Sequence, residues 1–374
     1  MTTLVNKKPV KSANISWTLF RYASKNYLMS FFSFFFVLMG VVFLISLIEV
    51  SDDLEGKSVP FLQIIKIVLY KMPQLSEEIM PFMILFAAMA TFWKLTRANE
   101  LVIIRSAGVS IWGIIFPFAF CSIMIGVLAF AVINPVSSAL FAKNKELSRL
   151  YKKKDQAIFK VSETGLWLRQ PDETGLSVIH AGSVNKDLSL NRVIIFNLTN
   201  DGEFLSRYDA GKARLENGNW ALKNTWHSYP GKKPDYFEEV LIPTDLTMEK
   251  VQDSFASAKS ISFWELPYFI NLLEKAGFSA VKLKLQFHRL LSKPFLFLAM
   301  VLLAATFSMQ QHRRGRVGLM ILSGILTGFL LYFLSNFVFA LGQSTKVPVA
   351  LAAWSPAGVS LLLGVTMLLH LEDG

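Results

Sequence analysis

Few residues of this chain have the types and spacing that catalysis or ligation needs. Gly56-Lys57-Ser58 has the ending of a phosphate-binding loop, whose backbone amides would wrap a nucleotide. The glycine that should open that loop is replaced by Ser51, and no strand pattern precedes it, so the chain is not expected to bind a nucleotide itself. His180, His227, His288, His312 and His370 are scattered, and none has a cysteine or carboxylate at ligand spacing, which argues against a metal. No serine stands in a Gly-x-Ser-x-Gly elbow. The single cysteine, Cys121, lies in an apolar run with no base nearby, where a thiol behaves as a small hydrophobe. A non-catalytic chain with no cofactor of its own is expected.

Two groups of residues keep a chemical meaning. At 100° per residue, Lys66, Pro73 and Glu77 fall in one helical sector, and Lys71 and Glu78 share another. They line a polar opening between helices, or they stand beyond the apolar layer as solvated charges. The second is the simpler expectation, because only charges held inside a bilayer carry a functional presumption. The other group runs from Lys94 to Ser110. There Asn99 can cap a helix, Glu100 suits its N-terminus, Leu101, Ile104 and Ala107 share a face, and Gly108 stops it. This predicts a short helix over about residues 98–109. It is either a plain interfacial connector or a knob that docks into a partner through Glu100.

The elements that must position these residues are set by composition. With 53% hydrophobic and only 17% charged residues, the chain holds more apolar side chain than a soluble globule of 374 residues can hide. Uncharged stretches occur at Leu28–Ile48, Ile79–Trp93, Ser106–Ile133, Pro294–Gln311, Val317–Ser344 and Val347–Leu369, most of them near the roughly 20 residues a crossing helix needs. The second is short unless it extends backward to Phe61. Six spans put both termini on one side. Lys7, Lys8, Lys11, Arg21 and Lys25 precede the first span. Lys94, Arg97 and Arg105 follow the second, and Arg313, Arg314 and Arg316 follow the fourth, whereas Glu49, Asp52, Asp53 and Glu55 crowd the loop after the first. By the positive-inside rule both termini lie in the cytoplasm. The polar leader before Leu28 and the lack of a small-residue cleavage site predict a retained anchor. Although the formal charge is +11, the surplus sits on these flanks and residues 135–288 are nearly balanced, so no nucleic-acid face is expected.

Between the third and fourth spans the pattern turns β-rich. Short pieces at Ala157–Val161, Gly165–Arg169, Leu176–His180, Arg192–Asn197, Phe204–Ala210, Lys212–Glu216, Asn219–Trp226 and Phe237–Ile242 are separated by turn signals such as Glu216-Asn217-Gly218. This predicts a sandwich or jelly roll, with no disulfide to staple it. Phe263–Ala276 then carries Leu266, Phe269, Ile270 and Leu273 at helical spacing, ending at Gly277, and returns the chain to the membrane. The expected class is therefore an all-α membrane domain of six helices with an inserted all-β, jelly-roll-like periplasmic domain. Its boundaries are expected at 1–134 for the leader and spans one to three, 135–288 for the insertion and return helix, and 289–374 for spans four to six.

This layout, together with Pro73 and Pro81 ahead of Arg97-Ala98-Asn99-Glu100-Leu101-Val102 and Ser106-Ala107-Gly108, resembles the LptF/LptG family, the membrane subunits of the lipopolysaccharide-export ABC transporter of Gram-negative bacteria. The resemblance covers almost the whole chain. Gly315-Arg316-Val317, Gly324, Gly328, Pro348 and Pro356 make the C-terminal half more similar to the LptG branch than to the LptF branch. It implies an inner-membrane permease paired with an LptF-like permease, over two LptB-like ATPase subunits that use ATP and Mg, joined by the membrane helix of an LptC-like bridge protein. Together they would extract lipopolysaccharide and pass it to a periplasmic bridge. It assigns ATPase coupling to Glu100, Leu101, Arg105 and Gly108. It also implies lipopolysaccharide phosphate contacts at Lys57, Lys143 and Lys145, although acids stand at the outer end of span one where family bases are common.

Spans one and five offer apolar faces for acyl chains at Phe35, Phe36, Phe329 and Phe333, residues that equally serve as ordinary packing. Two other classes stay open. A membrane-anchored periplasmic scaffold would be indifferent to reversal of Glu100. An intramembrane lipid transferase would need paired acids, for which only Glu77 and Glu78 stand.

Overall fold

The computed structural model of the chain describes residues 16–54, 59–152, 158–162, 165–172, 175–184, 189–199, 203–216, 218–244, 258–275, 279–309 and 317–373. Lys57 with Gly56 and Ser58, Gly277, and the bases Arg313, Arg314 and Arg316 lie outside the described residues. The helices are α1 (Trp17–Asp53), α2 (Phe61–Arg97), α3 (Glu100–Ser106), α4 (Ile111–Leu128), α5 (Asn134–Lys152), α6 (Leu266–Lys275), α7 (Val281–Met309), α8 (Val317–Gln343) and α9 (Val349–Asp373). A single π turn, Ala129–Ile133, joins α4 to α5, making one continuous rod. Six helical rods among the described residues are long and apolar enough to cross a membrane. The 37 residues of α2 bear out the backward extension of the second span and exceed what a ~30 Å hydrocarbon layer requires.

The chain divides into two compact units. One contains Lys71–Asn134, His288 onward and the residues up to Asp52; the other contains Asp53–Tyr70 and Pro135–Phe287. In the helical unit Tyr27, Phe92 and Phe118 are fully buried at the centre of the core, with Phe92 and Phe118 ring centroids 4.2 Å apart and Tyr27 5.4 Å from Phe118. Small residues set the closest approach. A Cβ on Gly126 would lie 2.5 Å from the Cα of Pro294, so α4 and α7 touch there backbone to backbone. The Thr91 hydroxyl bonds the Ser30 hydroxyl at 2.9 Å and ties α2 to α1.

The second unit carries a seven-stranded antiparallel sheet: β1 (Ile158–Ser162), β2 (Gly165–Asp172), β3 (Gly175–Val184), β4 (Leu190–Leu198), β5 (Phe204–Glu216), β6 (Asn219–Ser228) and β7 (Asp235–Pro243). Its strands pair in sequence order, so the jelly-roll-like domain is built as a meander. It nevertheless curls, because Thr244, just beyond β7, donates its hydroxyl to Gln170 of β2 at 2.9 Å, and both residues are buried.

A crease produces the curl. The pairing skips Gly182, Arg192, Gly211 and Asn224, which stand opposite one another across β3, β4, β5 and β6. Arg192 and Asn224 have φ of 51° and 54°. Along β5 the inward residues are Ser206 and Ala210 before the crease and Ala213 after it, a one-residue change of phase that keeps the same face inward. The two pieces expected at Phe204–Ala210 and Lys212–Glu216 are therefore one strand, and the strands among the described residues number seven rather than eight. Gly211 reads as a break in the sequence because glycine weakens a strand. Here it marks the bend, where a residue without Cβ lets β5 and β6 fold over the crease.

Candidate functional site

The predicted short helix is present as α3, and its parts separate into an anchored and a presented face. Leu101 is buried, Ile104 packs against the core, and Val102 and Ile103 are 50% and 64% exposed. The stop at Gly108 is as expected. It takes φ +84°, its N–H bonds the Arg105 carbonyl at 3.0 Å, and the Val109 N–H bonds the Ile104 carbonyl at 3.4 Å, the double closure of a Schellman end. Ala107 is exposed and does not join the buried face. The start differs from expectation: Asn99 stands at the cap position with φ 61° and its side chain makes no capping bond. A capping residue takes an extended backbone, whereas Asn99 is left-handed, and the α2 to α3 corner is made by that turn.

Glu100 is held from another helix. The Tyr22 hydroxyl of α1 donates to its Oε2 at 2.9 Å, so the carboxylate has a fixed bearing at the surface. Arg105 is exposed on the same short helix. The surface thus offers one oriented carboxylate, one cation and two bare aliphatic side chains on a rigidly terminated turn of helix, a shape that fits a partner's cleft.

A second constellation lies where solvated charges were expected. Glu77 is 8% exposed, and it pairs with Lys293 of α7 while the Asn134 amide donates to both of its oxygens at 3.3 and 3.4 Å. The solvated reading is overturned for Glu77, because α2 continues as one helix through Pro73 and Pro81 and packs Glu77 against α7. The π turn precedes Asn134 directly. One extra residue per turn rotates the following helix and brings the Asn134 amide onto Glu77. Glu78 accepts from Gln74 at 3.4 Å, and the Arg289 guanidinium lies 4.8 Å over the Phe339 ring. Lys71 pairs instead with Glu49 at 2.9 Å, and Lys66 is exposed. A pocket in this unit is lined by Glu77, Glu78, Arg289, Lys293, Tyr332 and Asn336 with apolar walls from α2, α7, α8 and α9.

Arg289, Lys293 and Asn134 were not singled out by sequence. Their signal was present: two bases one turn apart immediately before Pro294, on a helix whose apolar run starts four residues earlier than its charges suggest.

The residues expected to hold phosphate are only partly brought together. Lys57 lies outside the described residues. Lys143 is exposed on α5, and Lys145 is half-buried with its Nζ 5.4 Å over the Phe141 ring. Two positions apart on a helix they point about 200° from each other, so they do not form one face. Phe36, Phe329 and Phe333 are 70%, 62% and 64% exposed, and Phe35 is half-buried against Phe31 and Phe36 at 6.3 and 5.6 Å. Each pair presents an apolar helix surface.

The chain matches the family model described as lipopolysaccharide export system permease LptF/LptG over residues 21–370. It is 24% identical over 340 residues to the lipopolysaccharide export system permease protein LptG of Haemophilus influenzae, covering 88% of this chain and 91% of that protein. A match that runs from α1 into α9, on six apolar rods with an antiparallel β insertion, makes this multi-pass membrane protein a member of the LptF/LptG permease family.

Proposed function

We propose that the chain is the LptG-type permease subunit of a lipopolysaccharide exporter of the bacterial inner membrane. Its termini and α3 would lie in the cytoplasm and its β domain in the periplasm. It would pair with an LptF-like permease, two LptB-like ATPase subunits and an LptC-like bridge protein. The ATPase would bind ATP and Mg, and this chain would contribute no catalytic group. The family match supports the export role, and the similarity to the Haemophilus influenzae protein favours the LptG branch over LptF.

The observation that carries the coupling role is the build of α3. A connector needs no carboxylate oriented by Tyr22 and no exposed aliphatic pair, whereas a docking knob needs both: apolar area for affinity and a fixed charge for register. Physical necessity agrees. Withdrawing acyl chains from a bilayer costs about 0.8 kcal/mol per CH₂, so extraction requires an external motor and a rigid connection to it.

The test is Glu100→Lys. Reversal is expected to abolish co-purification of the ATPase with the permease and to stop ATP-dependent release of lipopolysaccharide from proteoliposomes. Full retention of both would remove the coupling role and favour the scaffold reading.

A further inference from the structure

Three cations on the outer face of the sheet have no anionic partner among the described residues. Lys212 of β5 and Lys223 of β6 stand directly opposite each other, and Arg192 of β4 follows Asn191, the residue paired with Lys212 on its other side. All three are exposed, and none makes an ion pair or side-chain hydrogen bond among the described residues, even though Lys223 faces Glu239 of β7. Like charges opposed across a ladder cost stability, so packing alone gives no reason for two lysines at this point.

Arg192 is the odd member of the crease. It takes φ 51°, a left-handed backbone that glycine or asparagine adopts more easily, and the others in that row are Gly182, Gly211 and Asn224. A Cβ on Gly182 would lie 3.0 Å from Nε and 3.1 Å from Nη2 of Arg192, so the guanidinium rests on the bare backbone of that glycine. It has a seat but no carboxylate. Its planar fork matches the oxygens of a phosphate.

Across the crease lies an aromatic surface. Trp226 and Tyr236, paired on β6 and β7, are 50% and 51% exposed, with ring centroids 5.1 Å apart and planes at 58°. The alternation slips at the crease, so Lys223, Asn224 and Trp226 are all exposed along β6. At about 3.4 Å per residue Trp226 stands about 10 Å from Lys223, a gap that the lysine side chain partly closes. Asn224 lies between them; its Oδ1 accepts from the Tyr236 hydroxyl at 3.1 Å, which leaves its amide N–H groups to donate. The acids of this face are set aside: Asp209 is held by Arg207, and Glu238 and Glu239 stand on the edge strand β7, so an incoming anion meets β4 and β5. A bare anion would leave the rings unused, and a neutral sugar would leave the cations unused. A pyranose carrying a phosphate uses both, with its C–H face on the rings and its ester oxygens on the cations.

We infer that the outer side of the crease binds a phosphorylated sugar, its ring on Trp226 and Tyr236 and its phosphate among Arg192, Lys212 and Lys223. The occupant is the saccharide portion of lipopolysaccharide. That assignment rests on the export role proposed above, whereas the phosphosugar chemistry rests on the sheet alone.

The test uses the purified full-length chain in nanodiscs, with whatever partners co-purify, and the acyl-free oligosaccharide released from lipopolysaccharide with its phosphates intact or removed. Affinity is read by fluorescence polarisation of the labelled oligosaccharide, and ring contact by saturation transfer to the sugar protons. The phosphorylated form is expected to bind about tenfold more tightly, the ratio that ~1.4 kcal/mol gives. Arg192→Asn is expected to erase that preference; asparagine suits the left-handed backbone, so the loss is not one of folding. Lys212→Gln is expected to weaken binding while raising the melting temperature, because it removes the opposed charges, a combination that a purely structural lysine would not give. Trp226→Ala is expected to lower saturation transfer and affinity for both forms and to leave the phosphate preference in place. Inorganic phosphate and hexaglutamate at equal concentration are expected not to compete.

Equal binding of the two oligosaccharides by the wild-type chain, or an undiminished preference in Arg192→Asn, would overturn the inference. Competition by inorganic phosphate would overturn the sugar, and competition by hexaglutamate would replace it with an acidic peptide. ATP-dependent lipopolysaccharide release measured in parallel separates the two readings. Intact release without phosphate preference sinks only the crease, and preference without release sinks only the exporter.

Discussion

Glu77 and Lys293 are the pair whose loss should be felt most. Their side chains are 8% and 13% exposed, so each charge depends on the other, and on Asn134, for the solvation it gave up. Removing one partner leaves a buried charge, a change that costs about 3–5 kcal/mol, whereas replacing both by apolar residues of similar size is close to neutral. Glu77→Leu and Lys293→Leu are each expected to lower the melting temperature of the purified protein by many degrees, and the double variant to recover most of the loss; equal, additive losses would show that the two charges are not coupled. His227 supplies a pH response in the β domain. It is 7% exposed, stacked on Tyr208 at 3.8 Å and packed on Tyr229 at 4.2 Å, and burial lowers its pKa below the usual 6.5 despite the nearby Asp235. Between the folded and unfolded pKa values the unfolded chain binds more protons, so this contribution is complete above about pH 6.5 and is lost as pH falls below it. Melting at pH 5.5 should fall below melting at pH 7.5, and His227→Phe should shrink the difference; an unchanged difference would place the response elsewhere. Of the candidate sites, the α3 residues were legible in sequence because charge and stop signals are local, although the cap signal at Asn99 misled. Glu77 was not, because its partner stands 216 residues away and nothing local distinguishes a solvated carboxylate from a paired one.

At the scale of elements, the contact between α4 and α7 makes the sharpest demand. The hypothetical Cβ on Gly126 meets the Cα of Pro294, a backbone atom that no rotamer change can remove. Gly126→Ala is therefore expected to push the two helices apart at an overpacking cost of about 1–3 kcal/mol. Gly358→Ala, in α9 with nothing within 4 Å of its added methyl, should be neutral or slightly stabilising. Comparing the melting temperatures of the two variants checks this, and equal effects would mean that the contact yields. The same contrast explains what could be read of the fold. Five of the rods follow from uncharged length, the second from its backward extension to Phe61, and the strands from alternation and turn signals, so both were legible. The crease through Gly182, Arg192, Gly211 and Asn224 was not, since only pairing reveals that four unremarkable residues on four strands stand in line. The π turn was hidden too, because Ala129–Ile133 is as apolar as the helix around it.

For the whole molecule, the asymmetry of Lys and Arg along the chain predicts which surfaces a reagent can reach from each side of the membrane. Lys94, Arg97 and Arg105 surround α3, while the β insertion between the third and fourth rods carries near-balanced charge and a sheet that folds with no disulfide. Under the proposed orientation, six crossings would put α3 and the termini on one side of the membrane and the insertion on the other. Cys121 is buried and is the only thiol, so Cys121→Ser gives a clean background with little change in packing. In that background Ser106→Cys, exposed on α3, and Lys212→Cys, exposed on β5, report the two sides. A membrane-impermeant maleimide added to intact spheroplasts is expected to label Lys212→Cys at once and Ser106→Cys only after lysis. The reverse pattern would invert the molecule, put α3 out of reach of any cytoplasmic ATPase, and remove the mechanical basis for coupling through Glu100. Labelling of both in intact spheroplasts would mean an even number of crossings between them, so that the α4–α5 rod, the one candidate span among the described residues between α3 and the sheet, lies outside the bilayer.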